Sequence, residues 1–506
     1  MSVSAIGSPA ALAVQQLVNM RSQFNDLERQ LSTGQKSANY AGLGTDGGIT
    51  VGLNAQLSAL SGYDNSINMI TTRIGLMSNA LSSMTNVANT VQSAINNATP
   101  AATSGSAGIA QQTAYSSLGQ LLDLLNTQSA NNQYLFSGRA TDQPSTDTLD
   151  HILNGNGAQA GLTQLISERN QADLGSNGLG RLAITSPTAT SVSVAEDSIS
   201  PFGFKLSSVN SNLTNATVTG PSGSPAALSV DFSGGNPNAG DQITLSFNLP
   251  DGTSENLSLT ATTASPPGSN QFTIGATPAD TATNFQSALT SAIGQLAATS
   301  LTAASAVAAS NEFFNADANN PPQRVDGPPF DTATGMVAGT AANTVIWYTG
   351  DAGSGAARDT ATARVDPSLV VSYGARANED GIRNLVQNVA TLAAVQISSS
   401  NPNAAGLSSA LNQRLTVNLN NPSSGQTITD IETQLASAQS AATNAQTRHQ
   451  QTSATLNNYL QNITGVSNET VGTELLTLQT RMQASMQATA MLFQTSLVNY
   501  IPVPSG

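Results

Sequence analysis

Residues 60–95 read LSGYDNSINMITTRIGLMSNALSSMTNVANTVQSAI, and this stretch decides the fold. Its apolar residues recur at alternating spacings of three and four, the pattern of a helix that buries one narrow stripe against a partner helix. The alternation is unbroken for about five heptads, which is long for a globular helix and typical of a coiled coil. The stripe consists of Tyr63, Ile67, Ile70, Ile74, Met77, Leu81, Met84, Ala88, Val91 and Ile95.

Similar stripes lie at both ends of the chain. Residues 8–31 predict a first helix, and a glycine-rich connector leads from it to Gly48. After Pro100 a third helix is predicted, with Leu135 as the last residue of its stripe. The first helix carries Ala10, Ala13, Leu17, Met20, Phe24, Leu27 and Leu31.

The C-terminal part repeats this helical pattern. The longest late stripe is Ile428, Ile431, Leu435, Ala438, Ala442, Ala445, His449, Thr452, Leu456, Tyr459 and Ile463. A last helix covers roughly residues 470–500, by the same spacing rule. Its broad apolar face consists of Leu475, Leu478, Met482, Met486, Leu492, Phe493 and Leu497.

The middle of the chain has a different character. Ile243, Leu245, Phe247 and Leu249 alternate strictly with polar residues, which predicts a half-buried strand, and a turn at Pro250–Thr253 predicts a hairpin. Further strands are predicted at residues 345–348 and 369–371, and a short amphipathic helix at residues 285–296.

These patterns predict a fold that is mainly α at both termini, with an inserted β-rich α+β middle domain. The terminal stripes can cover each other only by packing together as long antiparallel coiled-coil helices, so the middle projects from a helical rod. We expect terminal helices at 1–45 and 465–506, a helical rod domain at 46–180 and 376–464, and a variable surface-exposed domain at 181–375. A phage-type fibre or an intracellular coiled-coil scaffold would share this plan.

Composition narrows the function classes. Charged residues make up only 9% of the 506 residues, and small neutral side chains replace them, which suits close packing of chain against chain. A net charge of −14 disfavours nucleic acid and anionic membranes as partners. No apolar run is long enough to span a bilayer, and the N-terminus lacks the features of a cleaved signal peptide.

The sequence offers no site for catalysis, metal or cofactor binding. It has no cysteine, which removes disulfides, thiolate zinc ligands and thiol catalysis. His151 and His449 are far apart, and His449 falls on a helical stripe, where a packed structural histidine is expected. Gly42–Gly48 lacks the lysine of a P-loop and is expected to be a turn. We therefore predict no catalytic residues, no metal and no cofactor.

Three local motifs resemble the bacterial flagellin superfamily. Residues 27–37, LERQLSTGQKS, resemble the end of the first flagellin helix. Residues 131–139, NNQYLFSGR, resemble the segment that leaves the helical core, and their sequence is closer to that of the hook–filament junction protein. Residues 486–500 resemble the superfamily's last helix. The resemblance covers about residues 1–140 and 376–500.

This resemblance implies an extracellular structural subunit of the bacterial flagellum. Such a subunit is exported by the flagellar type III apparatus without a cleaved signal and polymerises through its terminal helices into a helical filament for motility. Implied partners are identical subunits, other axial proteins of the hook, junction and cap, and an export chaperone. The predicted assembly residues are Leu17, Met20, Phe24, Leu27, Leu31, Leu478, Met482, Met486, Leu492, Phe493 and Leu497.

Two alternatives stay open at this point. The first is a hook-associated junction protein that links hook to filament, which the Tyr134–Gly138 motif favours. The second, from another class, is a surface adhesin or enzyme carried by the middle domain, which would require a clustered polar site that no sequence motif indicates.

Overall fold

The computed structural model describes residues 9–98, 105–317, 319–398, 400–421 and 425–498. The chain divides into two compact units. The first unit consists of residues 1–69, 364–370 and 440–506, and the second of residues 70–363 and 371–439.

Helices dominate both ends of the described chain and also occur in its middle. They are α1 (Pro9–Thr33), α2 (Asp46–Asn97), α3 (Gly105–Leu125), α4 (Leu149–Asn154), α5 (Leu162–Leu174), α6 (Pro278–Leu296), α7 (Thr302–Phe314), α8 (Asp380–Ala394), α9 (Ala404–Asn420), α10 (Ile428–Thr464) and α11 (Asn468–Val498).

The strands lie between residues 182 and 372. They are β1 (Leu182–Thr188), β2 (Ser191–Glu196), β3 (Lys205–Ser211), β4 (Thr217–Ser222), β5 (Ala227–Asp231), β6 (Gln242–Asn248), β7 (Ser254–Thr262), β8 (Gln271–Thr273), β9 (Gln323–Val325), β10 (Met336–Ala338), β11 (Thr362–Asp366) and β12 (Leu369–Ser372). The fold class predicted from the sequence, helical termini around a β-rich middle, is confirmed.

In the first unit, α1 packs against α11 and the first part of α2 lies beside α10. Both pairs are antiparallel. The end of α1 leads to Gln35, which forms a β-bridge with Gly465 just before α11 begins. Along the other pair, Asn68 contacts Gln446 and Asp64 contacts His449, so the helices α2 and α10 run in opposite directions.

In the second unit, two four-stranded sheets and α6 enclose one apolar core. The strand orders are β1-β2-β5-β4 and β3-β6-β7-β8. The predicted hairpin is present, since β6 pairs antiparallel with β7 and Leu245 lies opposite Leu257. All apolar residues of the predicted strand are buried, as are Phe285, Leu289 and Ile293 of α6.

The central stripe of α2 is buried as predicted. From Ile67 to Ile95 its members are buried in the single chain, except Ala88, which is half-buried. Burial of a branched or long aliphatic side chain contributes about 1.5–3 kcal/mol, so this stripe is a large stabilising element.

Three sequence predictions about local structure are wrong. Residues 345–348 contain one isolated β-bridge, at Tyr348, rather than a strand, because the Trp347 indole N–H donates to the carbonyl oxygen of Phe314 at 3.0 Å and holds this segment on α7. Leu135 is buried but lies beyond α3, which ends at Leu125. The stripe of α10 also changes register: Thr452 and Tyr459 are exposed, while Ser453 and Leu460 are half-buried.

One helical stretch, residues 278–314, is long and apolar enough to cross a membrane, which corrects the expectation that no such run exists. It joins α6 to α7 through a π-helical turn at Ala297–Leu301. Within its most apolar window, 61% of the residues are buried inside the protein. This burial is the pattern of a core helix: α6 packs on the sheets, and the alanine-rich α7 packs against α5, α8 and α9.

Candidate assembly interface

The α1–α11 pair combines the two terminal stripes. On α1 the half-buried apolar residues recur at three-four spacing, and they are Ala13, Leu17, Met20, Phe24 and Leu27. On α11 the same spacing gives Val471, Leu475, Leu478, Met482, Ser485 and Thr489, of which Val471 and Leu478 are buried. Each helix therefore covers part of the other's stripe within one chain.

The predicted assembly residues do not all lie on this shared seam. Leu17, Met20, Phe24 and Leu27 of α1 and Leu478 and Met482 of α11 face it. Leu31 and Met486 are exposed, at 40% and 45%. Leu492, Phe493 and Leu497 belong to the last turns of α11, but their side chains lie outside the part that the structure describes.

Backbone hydrogen bonds join the segment after α1 to the segment before α11. The Lys36 amide donates to the carbonyl oxygen of Thr464 at 2.7 Å, and the Val466 amide donates to that of Gly34 at 3.1 Å. The Lys36 ammonium also donates to the Asn462 carbonyl oxygen at 3.2 Å. Residues more than 420 positions apart are thus joined next to the helix ends, so the pair has a fixed register at this end.

Arg29 stabilises the last turn of α1 from the same side. Its guanidinium donates to Asp26 at 2.6 Å and to the Lys36 carbonyl oxygen at 3.1 Å. The hydrogen bond from Arg29 is the largest cause that lowers the pKa of Asp26. Because Asp26 is largely exposed, this pair orients the chain more than it stabilises the fold.

Exposed apolar side chains concentrate in the first unit. Of the eighteen large exposed apolar residues in the described part of the chain, thirteen lie in this unit. Large exposed apolar patches are typical of surfaces that bind another protein or a membrane. We call these thirteen the outer apolar surface: Leu12, Val14, Val18, Leu31, Tyr40, Ile49, Val51, Met69, Val370, Tyr459, Leu476, Met486 and Met491.

Sequence reasoning missed most of this outer surface. It followed one stripe per helix, and most described members of those stripes pack inside the chain. The available signal was the second set of apolar residues on the same helices: Leu476 and Met491 on α11 are 65% and 62% exposed, and Leu12 on α1 is 62% exposed. An amphipathic helix inside a single domain would place polar residues there.

His449 interrupts the apolar contact between α2 and α10. It is 3% exposed, and its Nδ1 lies 2.8 Å from Asp64 Oδ1. Its Nε2 lies 3.8 Å from Asp366 Oδ2, and the Tyr63 ring packs beside it. The expectation of a packed structural histidine is thus met by its burial and contacts.

Comparison with known proteins bears on the helical N-terminal part. Residues 8–141 match the family model described as the bacterial flagellin N-terminal helical region. The matched range includes both N-terminal motifs noted in the sequence, Leu27–Ser37 and Asn131–Arg139. A search of the curated proteins found no match.

Proposed function

We propose that the protein is the subunit of the extracellular flagellar filament. The proposal starts from residues 8–141, which match the flagellin N-terminal helical region and support membership of the bacterial flagellin superfamily. Flagellin-family proteins are structural and non-enzymatic, and the family implies polymerisation into flagellar filaments. In this proposal identical subunits polymerise through their terminal helices, and the filament serves motility.

The observation that carries the proposal is the outer apolar surface of the first unit. Within one chain, α1 and α11 cover each other's stripes but leave Leu12, Val18, Leu476 and Met491 exposed. A neighbouring copy would cover these side chains, and burying each would contribute about 1.5–3 kcal/mol before the entropy of association is subtracted. Repeated around a tube, this contact supplies the driving force for assembly.

We also propose a role for each part of the chain. We propose that 1–45 and 465–506 form the inner tube wall, that 46–180 and 376–464 form the rod, and that 181–375 faces the medium. Export through the flagellar type III apparatus, aided by a chaperone, and contacts with hook, junction and cap proteins complete the proposal.

A second candidate is the junction protein between hook and filament. The Tyr134–Gly138 motif supports this candidate, because its sequence resembles the junction protein more than it resembles most filament subunits. Both candidates use the terminal helices for assembly, so they differ in whether the chain polymerises with itself.

Electron microscopy of the purified protein under salting-out conditions separates the two candidates. The filament proposal predicts long tubes from this chain alone, since salting-out strengthens the burial of apolar surface. Protein that stays monomeric and binds only to the ends of isolated hooks would refute the filament proposal and favour the junction.

A further inference from the structure

A polar groove lies in the second unit, where four elements converge. Its volume is about 300 Å³, at the lower end of the range for small-molecule sites. The β6–β7 turn and the start of β7 form one side, and α7, α8 and α9 form the rest. No sequence motif indicated it, because its walls come from four separate stretches between residues 251 and 418.

Arg414 on α9 holds one wall of the groove in place. Its guanidinium donates to Asp251 at 2.9 Å and to Glu255 at 3.2 Å, and also to the carbonyl oxygen of Ala410 at 3.1 Å. The Arg414 and Asp251 side chains are only 7% and 2% exposed. A buried charge pair with this many hydrogen bonds fixes the wall in one arrangement.

The opposite wall presents side-chain amides whose hydrogen-bonding capacity is only partly used. Gln387 is 6% exposed and its amide nitrogen donates to Asn311 Oδ1, while no hydrogen bond to its side-chain oxygen is described. Asn384 is held between Asn388 and the Asn418 carbonyl oxygen. In the described structure the side chains of Gln413 and Asn418 make no hydrogen bond, although both line the groove.

These amides offer paired donors and acceptors, which a hydroxyl group can satisfy because it donates and accepts at once. Val307 and Val417 add an apolar strip that suits C–H groups. Asp251 and Glu255 outnumber Arg414, so an anion is disfavoured. Among the described residues, no cluster of three His, Asp or Glu side chains could hold a metal ion.

We propose that this groove binds a small neutral saccharide. Its hydroxyl groups form hydrogen bonds with Gln387, Gln413 and Asn418, its C–H face lies on Val417, and a further hydroxyl donates a hydrogen bond to the Glu255 carboxylate. The site would add a binding activity that is independent of polymerisation.

Saturation-transfer difference NMR on the unpolymerised full-length protein tests this site. The probes are D-glucose, D-galactose and N-acetyl-D-glucosamine, each added separately, with D-glucosamine as a cationic comparison. We expect transfer to the ring C–H protons of at least one neutral sugar. Val417→Lys, which removes the apolar contact and places a long charged side chain in the groove from an exposed position, should abolish that transfer, and Gln413→Ala should weaken it several-fold.

Val337→Lys is the matched control, because Val337 is a similarly exposed valine on β10 that does not line the groove. It should leave the transfer unchanged. The proposal is overturned if no neutral sugar shows transfer, if the transfer survives in Val417→Lys, or if only D-glucosamine binds.

Discussion

Gly138, the last residue of the Tyr134–Gly138 motif, fixes the backbone conformation of the segment that follows the N-terminal helices. Its φ of +64° lies in the left-handed region, and its amide donates to the Ala375 carbonyl oxygen at 3.0 Å. A Cβ at this position would lie 2.9 Å from Asp351 Cβ and 3.3 Å from Arg376 Cγ. The glycine is therefore required by both conformation and space.

We predict that Gly138→Ala destabilises the second unit by about 1–3 kcal/mol. Urea unfolding followed by Trp347 fluorescence measures this, because Trp347 is the only tryptophan and is fully buried in that unit. The control is Gly75→Ala, a position within α2 where an added Cβ has open space, which should raise stability by about 0.5–1 kcal/mol. Equal effects of the two variants would contradict this account of Gly138.

Asp430 caps the start of α10 together with Thr427. The Thr427 amide and hydroxyl donate to Asp430 Oδ2 at 2.8 and 2.7 Å, and the Asp430 amide donates to the Thr427 hydroxyl at 3.2 Å. The hydrogen bond from the Thr427 side chain, followed by that from its backbone, lowers the pKa of Asp430 below 3.8. This is a capping box at the first turn of a long helix.

A pH dependence follows from that lowered pKa. The stabilising contribution is complete above pH 3.8 and is lost as the pH falls through the lower pKa of the folded state. We predict that Thr427→Val, which removes the hydroxyl, flattens the fall in urea midpoint between about pH 5 and about pH 2, as judged by helical circular dichroism. Thr427→Ser keeps the hydroxyl and should behave like the parent; a parent-like fall in Thr427→Val would refute the assignment.

At the scale of elements, the register of α10 explains where a strict heptad pattern fails. From Ile428 to His449 the buried and half-buried residues follow three-four spacing, and then the stripe passes through Ser453 instead of Thr452. In a straight α-helix the stripe of a strict heptad repeat drifts around the helix axis by about 20° per heptad. After three heptads, a second spacing of four in succession brings the stripe back to the face that packs on the partner helix, without supercoiling. His449 lies between the two successive spacings of four, from Ala445 to His449 and from His449 to Ser453.

We predict that Ser453→Asp destabilises the first unit by about 1 kcal/mol or more, because it places a charge on the packed stripe. Thr452→Asp on the exposed face should change stability by less than about 0.5 kcal/mol. Thermal unfolding monitored by circular dichroism compares the two variants. A larger effect at Thr452 would restore the strict heptad register and contradict the observed one.

Periodic elements could be predicted from sequence because their pattern is local. The α2 stripe and the β6–β7 hairpin depend on spacing alone, and both are present. Residues 345–348 were mistaken for a strand because their conformation is set by the distant hydrogen bond from Trp347 to Phe314. The outer apolar surface and the polar groove were missed for a related reason, since each combines residues from several separate segments.

At the scale of the whole molecule, some apolar faces pack within the chain, whereas the outer apolar surface is exposed in the single chain. We predict that Leu476→Asp abolishes tube formation while the unfolding midpoint of the monomer stays unchanged, because Leu476 is 65% exposed. Electron microscopy and calorimetry measure the two effects. Ile199→Asp, at a 74% exposed residue of the second unit, is the control and should still assemble.

The central claim, that the chain ends build the wall of a polymer, is tested most directly by removing an end. Electron microscopy of the variant lacking residues 470–506 should show soluble protein and no tubes, under conditions in which the full chain forms long tubes. Removal of residues 1–40 should have the same result, since α1 and α11 depend on each other. Tubes of normal diameter and length from either truncated chain would contradict the claim.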